Sequence, residues 1–203
     1  MSNLPNRDHF VNAYAGKPPW DIERAQRVFM EHADQITGSV LDAGCGTGEN
    51  ALYLGSLGRS VTGIDYLAVP IERAKQKAAQ RDLQVDFRVA DALNLKSFKE
   101  RFDNVVDCGL FHVFSDEDRP RYVEGLTTVV RPGGRLFLMC FSEEEPGTQG
   151  PRRVSKKELQ DAFAAGWMIE SIEPCRVEIR PDFTEVTFSE GGPKAWFAVI
   201  RRA

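Results

Sequence analysis

Ser39-Val40-Leu41-Asp42-Ala43-Gly44-Cys45-Gly46-Thr47-Gly48-Glu49-Asn50 joins a short apolar run ending in an acid to three glycines at alternate positions. The run Ser39–Asp42 reads as a strand, and residues 49–57 as the helix after the turn. Glycines at such a turn let the backbone take positive φ and approach a ligand closely, and the helix start offers unpaired N–H groups. The spacing sorts the candidates. A dinucleotide fingerprint G-x-G-x-x-G/A counted from Gly44 puts Glu49 at its last position, a bulky anion where the pyrophosphate and the helix–strand contact need a small residue. A P-loop needs Lys after its last glycine, and Gly48 is followed by Glu49.

Outward from this turn, strands and helices alternate in units of about 20–30 residues. The pattern predicts strands over Ser60–Asp65, Val85–Ala90, Asn104–Cys108, Arg135–Phe141, 168–173 and 195–200. It predicts helices over 70–81, 116–130 and 155–165, with Pro70 placed where a missing N–H costs little. Upstream, residues 8–35 read as helical, broken at Gly16-Lys17-Pro18-Pro19 and resumed near Asp21. Such alternation implies crossover connections and a parallel sheet covered on both faces. Ligands then bind outside the carboxyl ends of the strands, where Asp42, Asp65, Asp91 and Cys108 fall.

The whole is one domain's length: 203 residues, 42% hydrophobic and 28% charged, with a net charge of -4. That charge speaks against a protein gripping nucleic acid through phosphate neutralisation. No apolar run is long enough to span a membrane and no secretory signal is visible, so a cytoplasmic protein is expected. Cys45, Cys108, Cys140 and Cys175 are widely spaced and read as free thiols; His9, His32 and His112 form no ligand motif, so no metal is expected.

Asp42-x-Gly44-x-Gly46-x-Gly48 resembles motif I of the class I S-adenosylmethionine-dependent methyltransferases, and the resemblance runs through about residues 38–142. Asp65 matches the family's ribose-binding acid, Ala90-Asp91-Ala92 its acidic motif beside the adenine, Phe102–Asp107 its fourth strand, and Val130-Arg131-Pro132-Gly133-Gly134-Arg135-Leu136 its turn into the fifth strand. Ala15-Gly16-Lys17-Pro18-Pro19-Trp20-Asp21 and Asp107-Cys108-Gly109-Leu110 resemble segments of the small-molecule thiol, thiopurine and halide methyltransferases. The resemblance implies a doubly wound, mostly parallel seven-stranded sheet with its last strand antiparallel, in a single domain whose residues 1–37 form a helical lid. It implies S-adenosylmethionine as cofactor, S-adenosylhomocysteine as product, and a small-molecule acceptor, a soft nucleophile such as a thiol. Tyr14, Trp20, Asp42, Gly44, Cys45, Gly46, Asp65, Tyr66, Asp91, Ala92 and Cys108 would then surround the cofactor.

Methyl transfer needs alignment more than a catalytic side chain; His112 is the candidate base if the acceptor needs one. Glu143-Glu144-Glu145 reads as a solvated charge run beside the substrate mouth, and Arg152-Arg153 as a solvated pair or an anion contact. The rival functions are a non-catalytic cofactor-binding regulator, a nicotinamide oxidoreductase disfavoured by Glu49, and a methyltransferase acting on RNA or protein, disfavoured by the charge and the lack of an added domain.

Overall fold

In a computed structural model, which describes residues 7–203, seven strands form one sheet in the order β3-β2-β1-β4-β5-β7-β6. The strands are β1 Ser39–Ala43, β2 Ser60–Asp65, β3 Asp86–Val89, β4 Phe102–Cys108, β5 Val130–Phe141, β6 Trp167–Arg176 and β7 Lys194–Arg202. The helices are α1 Arg7–Ala15, α2 Arg27–Glu31, α3 Glu49–Ser56, α4 Ala68–Gln80, α5 Asp118–Val129 and α6 Lys156–Ala162. Strands β1 to β5 pair in parallel, and β7 runs antiparallel to both β5 and β6. The expected sheet is present, including its antiparallel last strand. Chain order reverses at β1, which pairs with β2 on one side and β4 on the other. The ends of β1 and β4 therefore flank the switch point, where such sheets open a crevice.

Both faces of the sheet are apolar because both are covered. Phe29, Ile36, Leu52, Leu54, Ile71 and Phe137 fill one core, and Phe111, Tyr122, Leu126, Leu138, Phe163 and Ile200 fill the other. Among the described residues no helix is long and apolar enough to cross a membrane.

Most elements lie where the pattern puts them, and the exceptions have physical causes. Helix α4 starts at Ala68, two residues before Pro70; Pro70 is still within the first turn, whose N–H groups have no intrahelical partner. The helix expected near Asp21 begins only at Arg27. Residues 21–26 are recruited by tertiary contacts instead. The Asp21 carboxylate accepts the Thr47 hydroxyl at 2.9 Å, Glu23 takes a left-handed φ of 61°, and the Gln26 side chain bonds backbone at Glu178. Two 3₁₀ turns, Ala92–Ser97 and Phe111–Val113, are too short to leave a periodic signal. Of the amino-terminal segment 1–37, the first six residues lie outside the described ones.

Candidate functional site

The turn after β1 is bare backbone by necessity. Gly44, Gly46 and Gly48 have φ of 71°, 54° and 84°, the left-handed region that strains other residues. A Cβ on Gly44 would sit 3.0 Å from Leu110, and one on Gly46 only 2.6 Å from the Tyr14 hydroxyl. Gly48 serves packing: its Cβ would strike Phe87 and Ala74. Glu49 is structural too. It opens α3, where the helix dipole favours an acid, and its carboxylate bridges Lys77 and Arg81, each at 2.8 Å. Lys77 also donates to the Thr47 hydroxyl at 2.8 Å, so Asp21, Thr47, Lys77 and Glu49 weld the amino-terminal segment to the glycine turn.

Three carboxylates gather beneath and beside that turn. Asp65, at the end of β2, accepts the Gly46 N–H at 3.1 Å and the Leu67 N–H at 2.9 Å. Burial pushes its carboxyl up in pKa while those two amides pull it back. A carboxylate has about four lone-pair sites, so Asp65 keeps acceptor capacity for further donors. Asp107, at the end of β4, is fully buried and accepts from Leu110 N–H, Phe111 N–H and the Tyr122 hydroxyl at 2.8, 3.2 and 2.9 Å. Asp42 is 1% exposed, and no side chain or opposite charge pairs with either of its oxygens. Burial pushes its carboxyl up to about 7, with the Ala51 N–H as a partial counterweight and Asp107 and Asp65 adding to the rise; burial likewise pushes Asp107 up to about 6.

An orphaned buried carboxylate among two others is a site in want of positive charge. Both raised groups bind more protons in the native state than in the unfolded chain above about pH 4, so each costs stability as pH climbs from about 4 to its raised value, while buried His112, lowered to about 3, works in the opposite sense. The urea midpoint of Asp42→Asn, measured relative to the parent chain, should therefore rise steadily from about pH 4 to about pH 7. A gap between the two that stays constant across that range would show that Asp42 is paired.

An aromatic group covers the turn. The Trp20 indole N–H donates to the Tyr14 hydroxyl at 3.1 Å; Phe10 meets Trp20 and Tyr66 edge-on at 6.1 and 6.3 Å. Arg73 fixes this cover by donating to the carbonyls of Tyr14 and Gly16 at 2.9 and 3.0 Å, satisfying the orphan end of α1. Burial drives the Tyr14 hydroxyl far above its ordinary pKa and Tyr66 to about 12, so both stay neutral.

The remaining expected residues divide. Cys108 ends β4 with its thiol bonded by the Asn50 side chain, and Asn50 accepts the Gln26 N–H at 3.0 Å. Cys45 turns its sulfur toward Gly63 of β2, where a Cβ would be 3.1 Å away. Asp91 is exposed at the end of β3 and caps the following 3₁₀ turn, accepting the Leu93 N–H at 2.8 Å; Ala92 behind it is buried. His112 is buried, and its Nδ1 accepts the Phe141 N–H at 3.0 Å. Its Nε2 lies 3.3 Å from where a Cβ on Gly109 would be. Burial, reinforced by Arg119 and Arg153, lowers the imidazole to about 3.

Two sequence readings change. Arg152 pairs with Asp116 and Glu158, and Arg153 donates to the carbonyls of Glu145, Pro146, Gly147, Gln149 and Pro151. Neither is a solvated arginine. Glu143 accepts the Trp196 indole N–H and Glu145 is 2% exposed, so these two belong to the framework, while Glu144 between them is exposed as expected. Gln26, Asn50 and Arg73 escaped the sequence reading, because their roles depend on partners 24 to 152 residues distant or on backbone carbonyls.

S-Adenosylmethionine fits these residues on chemistry. Its sulfonium and ammonium match the uncompensated Asp42, its ribose diol matches the free acceptor capacity of Asp65, and the glycine turn sets bare backbone beside both.

Residues 40–134 match the family described as a methyltransferase domain. The 2-heptyl-1-hydroxyquinolin-4(1H)-one methyltransferase of Mycobacteroides abscessus is 33% identical over 208 residues, covering 96% of this chain and 89% of that one. A solved structure described with the conversion of a disulfide bond into a thioacetal group during echinomycin biosynthesis superposes with a TM-score of 0.84 at 35% identity, covering 97% and 93% of the two chains. The 1,6-didemethyltoxoflavin N1-methyltransferase of Burkholderia thailandensis, solved with S-adenosylhomocysteine, shares the fold at a TM-score of 0.74 and 22% identity, covering 100% of this chain and 93% of that one. The nicotinamide reading falls away, and the chain belongs to the class I S-adenosylmethionine-dependent methyltransferases, as an enzyme acting on small molecules.

Proposed function

We propose that the acceptor atom is soft or already ionised, a thiol in its thiolate form being the first choice. The observation that carries this is the state of His112. With Nδ1 accepting the Phe141 N–H, the neutral ring holds its proton on Nε2 and can only donate there. Asp107, fully buried, spends its oxygens on three protein donors and presents none to an acceptor. His112 is thus a positioning donor rather than the base the sequence suggested, and the acceptor brings its own lone pair. The disulfide-to-thioacetal conversion described with one similar structure supports sulfur chemistry; the hydroxyquinolinone named for the Mycobacteroides relative supports an acidic hydroxyl as the neighbouring class.

The cofactor supplies an electrophilic methyl on sulfur and a neutral thioether leaving group. In this reading Asp65 orients the ribose through its unused lone pairs, and Asp42 balances positive charge through space. Gly44 and Gly46 admit the ligand against backbone. Tyr14 and Trp20 close over it and exclude water. Cys45, Tyr66, Asp91, Ala92 and Cys108 complete the walls. Alignment and desolvation then do what a base would otherwise do.

An S-adenosylhomocysteine release assay across thiols, N-hydroxy heteroaromatics, phenols, halides and alkyl amines tests this. Thiols and acidic hydroxyls should be turned over, with kcat/KM rising with pH along the acceptor's own ionisation and showing no histidine inflection. Alkyl amines outpacing every thiol, or a profile that keeps one inflection whatever the acceptor, would restore a protein base.

A further inference from the structure

The connection between β6 and β7, residues 177–193, is fastened on both sides of the site. On the cofactor side, the Glu178 N–H donates to Gln26 Oε1 and Gln26 Nε2 donates to the Glu178 carbonyl, both at 2.8 Å. The Arg180 N–H donates to the Pro19 carbonyl at 2.8 Å, next to Trp20. On the far side, the buried Glu145 carboxylate accepts the N–H groups of Ser189 and Lys194 at 3.0 and 2.8 Å. Gln149 Nε2 donates to the Thr187 carbonyl at 2.9 Å. Arg153 rigidifies the loop that carries Glu145 and Gln149 through its five carbonyl contacts.

Between these fastenings Phe188 stands edge-on to Phe141, with ring centroids 5.8 Å apart at 83°. Gly150 lies against both: a Cβ there would be 3.4 Å from Phe188 and 3.5 Å from Phe141. Phe141 ends β5, and its N–H is the one held by His112, whose other nitrogen faces Gly109 at the end of β4. The His112 ring stands edge-on to Phe141 at 5.3 Å, so the aromatic wall runs on toward the rim that carries the cofactor-side residues; the Arg153 guanidinium covers the buried Phe141 ring, 5.2 Å from its centroid, and half-buried Phe188 is the ring left to meet a ligand.

Resting on the reading above of a small acceptor that needs no base, we propose that Phe188 is a specificity-determining residue selecting flat aromatic acceptors, and that Glu145 is the positioning residue that holds it against Phe141. A third ring laid against this pair gains edge or offset stacking beyond its buried area; an aliphatic acceptor gains area alone. Glu145 acts on this connection through Ser189 and the Lys194 N–H and touches none of the cofactor residues, so its loss lets Phe188 drift while leaving them in place.

The test compares thiophenol with 2-mercaptoethanol, each by turnover with S-adenosylmethionine and by calorimetric binding to protein loaded with S-adenosylhomocysteine. Phe188→Ala should raise KM and Kd for thiophenol about tenfold more than for 2-mercaptoethanol, at unchanged S-adenosylhomocysteine affinity. Phe188→Tyr should restore thiophenol binding. Glu145→Gln should move thiophenol in the same direction while the thermal melt stays cooperative. Equal changes for the two thiols in Phe188→Ala, or none, would overturn the assignment of Phe188; an unchanged Glu145→Gln would overturn the latch. A wild-type chain that binds neither thiol when loaded with S-adenosylhomocysteine would defeat the acceptor reading itself, and this inference with it.

Discussion

Asp107→Ala is expected to lower stability by about 3–5 kcal/mol, taking roughly 1–3 kcal/mol for each buried donor left unpaired and allowing some relaxation. Three donors lose their acceptor at once: the amides of Leu110 and Phe111 and the Tyr122 hydroxyl. Two of them shape the turn that leaves β4. Leu110 then packs over Gly44, Phe111 enters the second core and His112 reaches Phe141. Methyl transfer should vanish with the fold of that turn. Asp107→Asn separates the contributions: its carbonyl oxygen can serve the two amides, while its NH₂ faces a tyrosine hydroxyl able to turn and accept. Urea denaturation should place Asn well above Ala. Equal midpoints for Asn and Ala would mean that charge, not the acceptor geometry, holds the turn.

Asp65→Ala should weaken cofactor binding by about 1.5–3 kcal/mol, the scale of hydrogen bonds to a charged group. The same carboxylate also holds the Gly46 N–H, so the loss includes disorder of the glycine turn. Asp65→Asn keeps one acceptor oxygen and should fall between. Calorimetry with S-adenosylhomocysteine reads both, and a folded Asp65→Ala protein with parental affinity would remove Asp65 from the ribose site.

Gly46→Val is less selective a probe than the turn's sequence suggests. The side chain would meet the Tyr14 hydroxyl and force a strained φ, so both folding and binding should suffer. Stability and S-adenosylhomocysteine affinity measured on the same variant should fall together; a drop in binding alone would show that the turn tolerates the side chain.

The parallel core was legible because each unit carries its own local signal: an apolar strand, an acid or small residue at its end, a helix of fitting length. Asp42 and Asp65 stood out as charges terminating apolar runs. The glycine spacing announced the turn, though not that Gly48 is needed for Phe87 rather than for a ligand. What stayed hidden was set at long range. Nothing near Asp21 says that its carboxylate will be claimed by Thr47, and so the helix was expected six residues early. A histidine after β4 carries no local mark of burial, so the sequence offers His112 as a candidate base without showing that the Phe141 amide, 29 residues on, occupies its Nδ1. Glu145 looked solvated for the same reason, since its partners lie 44 and 49 residues downstream.

The place of β7 has a consequence for how the chain comes off the ribosome. β7 lies between β5 and β6, and those two strands bond to it and not to each other. Until Lys194–Arg202 emerges, β5 keeps an open edge and β6 has no ladder to join, which leaves aggregation-prone backbone exposed late in synthesis. Glu145 waits for the same residues, because one of its two amides belongs to Lys194. A nascent chain stalled before residue 194 should therefore be digested by protease across β6 and the 142–154 loop while β1 to β4 already resist, so the half of the sheet beyond β5 is the last part to take shape.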